Sequence, residues 1–287
     1  MTQKIAWIID SLGYLSPELA ARSDVFVAPL TIHFGTDSYV DGESLTTDEL
    51  YEKINTTKSI PTTSQPSAGY FEKLYRSLKE EGYDCAIAVH ISSKLSGTFA
   101  SSNAGAELAH FTVHTVDSLS MSYGMTYMLE RGIETYEETK SIEQTMQVIQ
   151  NLVAKLQNYI LIGKLDQLYK GGRMSGVQYF LGSLLKMKPV VHMNDEGLLI
   201  PYDKVRSEKR GVQYLIDRVT EKADRMTSCL YIMHGNVEER AIALKEAIHK
   251  QIPNLDIRIG EISSSIAVHA GEETLAILWF EDDGTTS

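Results

Sequence analysis

The chain has 287 residues, of which 43% are hydrophobic and 23% charged, and this is enough for two globular domains or one large one. Its formal net charge of -11 argues against nucleic acid as the main partner, because a phosphate backbone binds an electropositive face. No apolar run approaches the roughly 20 residues that span a bilayer, so no stable membrane insertion is expected.

The cellular compartment follows from the N-terminus and the cysteines. Met1 to Ile5 leads directly into a strand-like run and lacks the basic and apolar regions of a signal peptide. Cys85 and Cys229 each lie in a hydrophobic run, which indicates buried thiols rather than a disulfide framework. A cytoplasmic protein is therefore expected.

Strands and helices alternate through the first half of the chain. Predicted strands cover 4–9, 25–34 with an interruption at Pro29, 84–90 and 111–116. Predicted helices begin at the capping-box pair Thr46 and Glu49, at Ser67 and after Ser96. This alternation predicts an α/β domain with a mostly parallel sheet.

The second half shows an α+β pattern. Ser141 with Gln144 opens a helix whose predicted buried residues are Ile142, Met146, Ile149, Val153 and Leu156. The domain boundary is predicted near Tyr159, which gives domains 1–158 and 159–287. Strands 188–193 and 198–202 flank a turn and predict a hairpin, and helices and strands alternate from Glu208 to Ile262.

Two hydroxyl-rich stretches precede predicted helices, at 61–67 and 92–98. The second follows a strand, and ligands of open α/β sheets bind beyond the carboxyl ends of the strands. Free N–H groups at the start of a helix favour an anion, so a carboxylate or phosphate is the expected ligand. The alternative is that Ser96-Gly97-Thr98 is only a turn and a helix cap.

Several motifs in sequence order resemble the DegV family, whose better understood members are fatty-acid-binding subunits of bacterial fatty acid kinase. The motifs span residues 10 to 271 and are Asp10-Ser11, Thr63-Ser64-Gln65-Pro66, Leu95-Ser96-Gly97-Thr98, Val116-Asp117-Ser118, Leu165-Asp166-Gln167-Leu168-Tyr169-Lys170-Gly171-Gly172-Arg173, Lys188-Pro189 and His269-Ala270-Gly271. The resemblance implies a two-domain fold with a long-chain fatty acid between the domains. It also implies a separate ATP-binding kinase as partner, acyl phosphate as product for phospholipid synthesis, and no cofactor besides the bound lipid.

The resemblance also implies roles for single residues. Thr63 and Ser96 match residues that hold the fatty acid carboxylate, and Arg173 and His269 match residues beside that head group. Arg206 matches a position at the kinase contact surface. Residues expected near the head group from their place in the same motifs are Ser64, Gly97 and Thr98. From its own sequence, Lys170-Gly171-Gly172-Arg173 is more typical of a helix C-cap with a surface arginine. The alternative is a tight turn that brings the backbone close to a ligand, with Arg173 as a forked donor.

Charge supports a docking surface around Arg206. From Lys164 to Arg210 there are nine basic and five acidic residues, a local charge of +4 against -15 for the remainder. Such a basic region suits an acidic partner or an anionic ligand. A solvated mixture of surface charges is the alternative.

One departure from the family bears on the head group: the family's histidine is usually followed by a glycine-rich run, whereas here Glu272 and Glu273 follow Gly271, and Glu273 and Ala276 replace small or flexible positions. A carboxylate directed at the bound head group would weaken binding.

Two other functions stay open, a hydrolase or acyl transferase using Ser96 and His269, and a lipid sensor without a kinase partner. No Walker loop or dinucleotide fingerprint is present, and His110 with His114 lacks a third metal ligand of convincing spacing.

Overall fold

The computed structural model describes residues 3–57, 60–163, 172–173 and 187–282. Its backbone groups into two units, one of Met1–Thr46 with Pro61–Ala154 and one of Thr47–Ile60 with Lys155–Ser287. A boundary between residues 158 and 159 would cut a strand, Leu156–Leu161. The exact domain limits stay a prediction.

The first unit combines strands and helices along the chain. Its strands are β1 (Ile5–Asp10), β2 (Val25–Ala28), β3 (Thr31–Phe34), β4 (Asp37–Val40), β5 (Thr62–Ser64), β6 (Cys85–His90) and β7 (Val113–Asp117). Its helices are α1 (Pro17–Ala20), α3 (Ala68–Glu80), α4 (Thr98–Ala109), α5 (Tyr123–Thr139) and α6 (Ile142–Val153). Helix α2 (Thr47–Thr56) groups with the second unit.

The main sheet of the first unit is parallel and has the order β2-β1-β6-β7. Strands β1 and β6 are buried along their whole length, as expected when helices cover both faces. The chain leaves β1 for β2 on one side and returns to β6 on the other. The carboxyl ends of β1 and β6 therefore form a topological switch point, where open α/β sheets bind ligands.

A second, antiparallel sheet of this unit has the order β4-β3-β5. The sequence predicted residues 25–34 as one interrupted strand, but β2 and β3 lie in different sheets. Pro29 falls between them, and its missing N–H suits the point at which the chain leaves one sheet for another.

The second unit is built on one mixed sheet with the order β10-β9-β8-β13-β11-β12. Its strands are β8 (Leu156–Leu161), β9 (Lys188–Met193), β10 (Leu199–Val205), β11 (Leu230–His234), β12 (Ile257–Glu261) and β13 (Leu275–Phe280). Its further helices are α7 (Glu208–Lys222), α8 (Glu238–His249) and α9 (Ser264–Ala270), with a 3-10 turn at Ala223–Arg225. Among the described strands of this second sheet, only β11 and β12 pair in parallel.

The predicted fold class is confirmed: a parallel-sheet α/β region is followed by a second, sheet-rich unit. Ser67 and Ser141 cap α3 and α6 as predicted, through the N–H groups of Tyr70 and Gln144. The prediction for Leu156 was wrong, because this residue starts β8 and pairs with Phe280 of β13 instead of extending α6. None of the helices in the described residues has the length and apolarity needed to cross a membrane.

Candidate functional site

The loop after β6 carries Ser96 and is bonded to the ends of two strands, at buried Asp10 and half-buried Asp117. Asp10, at the end of β1, accepts a hydrogen bond from the Ile91 N–H at 2.9 Å and another from the Leu12 N–H at 3.2 Å. Asp117, at the end of β7, accepts one from the Ser93 N–H at 3.1 Å. The sequence singled out both aspartates only as parts of motifs. In the structure, they fix the loop from its two sides.

Ser96 lies one residue before the N-cap of α4, which is Gly97. The Thr98 N–H donates to the Ser96 Oγ at 3.3 Å, and the two hydroxyl oxygens are 2.8 Å apart. Thr98 is fully buried and Ser96 half-buried. If the Thr98 hydroxyl donates to Ser96, the Ser96 proton is available for a ligand. The hydroxyl can therefore help to start the helix and bind an anion at the same time.

Thr63 and Ser64 are neighbours on β5, and their side chains face opposite sides of the small sheet. Thr63 is paired with Ile32, which is fully buried, so its side chain lies on the inner face. Ser64 bonds to His33 Nε2 at 2.9 Å on the other face, and His33 Nδ1 bonds to Ser38 at 2.8 Å. Only Thr63 therefore offers its side chain on the inner face, and the place of Ser64 near the head group stays a prediction.

The structure brings the Thr63 loop and the Ser96 loop together within the first unit. The contact is made by Gln65 and Gly97: a Cβ atom at residue 97 would lie 2.9 Å from the Gln65 Cδ and 3.2 Å from its Oε1. The two hydroxyl-rich loops thus adjoin. Sequence analysis did not identify Gln65 as a site residue, because a contact between distant segments leaves no local pattern.

His269 belongs to the second unit and lies in the last turn of α9. Burial lowers the pKa of this imidazole from 6.5 to about 4, and the positive charge of Arg173 contributes in the same direction. Arg173 itself is exposed. The imidazole is therefore neutral near pH 7, and it can take part in hydrogen bonds without bringing a positive charge. Its role and that of Arg173 beside the head group stay predictions.

The two unexpected glutamates after His269 have partners in the second unit. The Glu272 Oε1 accepts from the amides of Asn55 at 3.2 Å and Asn236 at 3.4 Å. Glu273 Oε2 lies 3.6 Å from Lys188 Nζ, and the Glu273 carbonyl accepts from Arg240 at 3.3 Å. Both glutamates therefore have partners within the second unit, and their effect on the head group stays a prediction.

Arg206 is exposed between β10 and α7, beside exposed Lys204, Lys209 and Arg210. This arrangement agrees with a basic surface, and a kinase contact there stays a prediction. Lys164, Lys170 and Lys186, and residues 165–171 of the motif that ends at Arg173, lie outside the described residues. The described residues contain no group of three or more His, Cys, Asp or Glu suited to a metal ion.

Comparisons with known proteins agree on one family. The family model described as "Uncharacterised protein, DegV family" matches residues 4–282. A DegV domain-containing protein of Listeria innocua is 30% identical over 282 residues, which cover 97% of this chain and 99% of the relative.

Two solved structures with the same fold are described in connection with a fatty acid. A fatty acid binding DegV family protein from Streptococcus agalactiae aligns with a TM-score of 0.91 and 28% identity, over 98% of this chain and 100% of that one. The Fatty Acid Kinase (Fak) B3 protein of Streptococcus pneumoniae, loaded with linoleic acid, aligns with a TM-score of 0.83 and 25% identity, over 97% and 100%.

Proposed function

Because the chain belongs to the DegV family, we propose that it is a cytoplasmic carrier that binds one long-chain fatty acid and presents the carboxylate to a separate ATP-dependent kinase. The observation that supports this proposal most is that the two hydroxyl-rich loops, which carry Thr63 and Ser96, are in contact at the switch point of a parallel sheet. The fatty acid binding of the Streptococcus agalactiae relative and the linoleic acid in the Fak B3 protein support the ligand class.

The head group is assigned to Thr63 and Ser96. Both side chains are half-buried hydroxyls, and each can donate one hydrogen bond to a carboxylate oxygen. Hydrogen bonds to an ionised acceptor are stronger than those between neutral groups, so two donors orient the head group. Most of the affinity comes from the acyl chain. About 15 methylenes at about 0.8 kcal/mol each give about 12 kcal/mol before the costs of association.

The chemical step belongs to the partner, which supplies ATP. A carboxylate oxygen of the bound fatty acid attacks the γ-phosphorus of ATP, the bond from that phosphorus to the ADP oxygen breaks, and ADP leaves. The acyl phosphate remains on the carrier until it is handed to phospholipid synthesis. In this scheme the chain contributes orientation of the nucleophile and no independent catalysis. The name of the Fak B3 relative supports a kinase partner, and exposed Arg206 is the proposed contact.

The test substitutes each head-group hydroxyl in turn, Thr63→Val and Ser96→Ala. We expect each variant to retain bound fatty acid, seen by mass spectrometry of an organic extract, and to lose at least about tenfold in kinase-dependent phosphorylation. Thr62→Val is the matched control, because Thr62 is on the same strand with its side chain on the opposite face. Unchanged phosphorylation in both Thr63 and Ser96 variants would contradict the assignment.

The variant Arg206→Glu distinguishes the carrier hypothesis from the hypothesis of a lipid sensor without a kinase partner. The carrier loses kinase coupling and keeps its lipid, whereas a sensor is unaffected. A serine-directed activity probe addresses the hydrolase alternative, since labelling of Ser96 would support it and contradict the carrier.

A further inference from the structure

Gly97 is a glycine for reasons of space. Its φ is -81°, a backbone conformation that any residue adopts, so conformational freedom does not explain it. Gln65 occupies the position that a side chain at 97 would need, with its amide nitrogen nearest. The close approach of these two residues therefore accounts for the glycine.

The position of Gln65 is set by its neighbours along the chain. Ser64 is held by His33 at 2.9 Å, Pro66 is buried, and Ser67 caps α3 by accepting from the Tyr70 N–H at 3.1 Å. The amide of Gln65 itself forms no hydrogen bond within the described part of the chain, and the residue is exposed. The two N–H donors of this amide thus lie against Gly97, one residue after Ser96, with no acceptor among the described residues.

Exposure separates Gln65 from the two hydroxyl residues. Thr63 and Ser96 are half-buried, and Gln65 is nearer the solvent. With the acyl chain buried and the carboxylate on the hydroxyls, a phosphoryl group added to that carboxylate must extend outward. It also adds oxygen acceptors that the free fatty acid lacks. A neutral amide can donate to these oxygens without the strong attraction of an arginine, which would slow release.

From this geometry we infer that Gln65 is a specificity residue that binds the phosphoryl group of the acyl phosphate and distinguishes it from the free fatty acid. The inference rests on the proposed function. Gly97 is the positioning residue, since a Cβ atom at this position would occupy the place of the Gln65 amide.

The experiment compares two ligands of equal chain length on the full chain, palmitate and the β-ketophosphonate in which a CH2 group replaces the bridging oxygen of the acyl phosphate. Competition against a fluorescent fatty acid gives both Kd values. We expect Gln65→Leu to raise the Kd of the phosphonate about tenfold or more, and to leave that of palmitate within about twofold. Retained palmitate binding in this variant would exclude a folding defect.

Gly97→Ala provides an independent route to the same result, since the added methyl group displaces the Gln65 amide. The double variant should lose no more than either single variant. Gly69→Ala is the matched control, because a Cβ there has no neighbour closer than 3.8 Å. If Gln65→Leu weakens both ligands equally, or neither, the inference is overturned while the carrier stands. If the unchanged protein binds no palmitate, the proposed function falls as well.

Discussion

The two units fix their predicted head-group residues by different means. In the first unit, Asp10 and Asp117 accept hydrogen bonds from backbone N–H groups of the Ser96 loop, and Gln65 packs on Gly97. In the second, the turn after His269 is held by charged side chains. The difference is between carboxylates bonded to backbone N–H groups, together with close packing, and ion pairs that salt can screen.

The charged side chains of the second unit form one network. Glu208 lies 2.7 Å from Arg240 and 3.4 Å from Lys188, and the same two cations reach Glu273. Their side chains are between 25% and 43% exposed, so water and ions reach every member. Ionic strength should therefore change the stability of the turn after His269 more than that of the Ser96 loop.

The largest expected effect is on acid stability through His269. Its pKa is about 4 in the folded chain against 6.5 ordinarily, so the unfolded chain binds more protons between these values. Folding stability due to this residue is therefore complete above about pH 6.5 and falls as the pH is lowered, by roughly 3 kcal/mol at pH 4. His269→Gln should remove this part of the pH dependence, measured by urea unfolding from pH 7 to pH 4.

Arg173→Met is the companion variant for this measurement. It removes the positive charge of Arg173, which is the smaller of the two causes that lower the His269 pKa. The loss of stability of this variant on acidification should therefore lie between the loss of the unchanged chain and that of His269→Gln. An unchanged pH profile in His269→Gln would contradict the burial of a neutral imidazole.

The second expected effect concerns the packing beneath the Ser96 loop. A Cβ at Gly105 of α4 would lie 2.8 Å from the Glu72 N and 2.9 Å from the Ala68 carbonyl oxygen of the neighbouring helix α3. Gly105→Ala should therefore destabilise the protein by about 2 kcal/mol, despite the higher helix propensity of alanine. Gly69→Ala in α3, with open space around it, should be neutral or stabilising. Thermal unfolding of both variants checks this, and an equal effect of the two would show that α3 and α4 are not closely packed.

The sequence was most informative where the signal is local. Ser67 and Ser141 cap their helices because a hydroxyl one turn before an apolar stripe meets a free N–H. The hairpin of β9 and β10 was equally predictable: Asn194 accepts from the Glu196 and Leu198 N–H groups, and Gly197 has a φ of 78°.

Contacts between distant segments were not predictable in this way. Strand β5 has only three residues, and its register depends on Ile32, 31 positions earlier. Helix α2 was predicted, but its grouping with the second unit has no local cause in the sequence. The Gln65 contact is similar, since a glycine with an ordinary φ resembles any other loop glycine. For the candidate site, the sequence and its family resemblance therefore indicated the hydroxyl residues, and the structure added the groups that fix them.

The smallest expected effect tests whether the turn after His269 is held by ion pairs, in contrast to the closely packed loops of Thr63 and Ser96. Arg240→Met removes a cation that contacts both Glu208 and the Glu273 carbonyl, and should cost up to about 1 kcal/mol of unfolding free energy at low salt. The matched control is Arg258→Met, whose pair with Asp256 is 3.6 Å long and more than half exposed on both sides. About 1 M NaCl reduces the screening length to roughly 3 Å and should remove most of the Arg240 effect. A cost that persisted at that salt concentration would mean that the methylene stem of Arg240 stabilises the turn by packing, and the two units would then be built on the same principle.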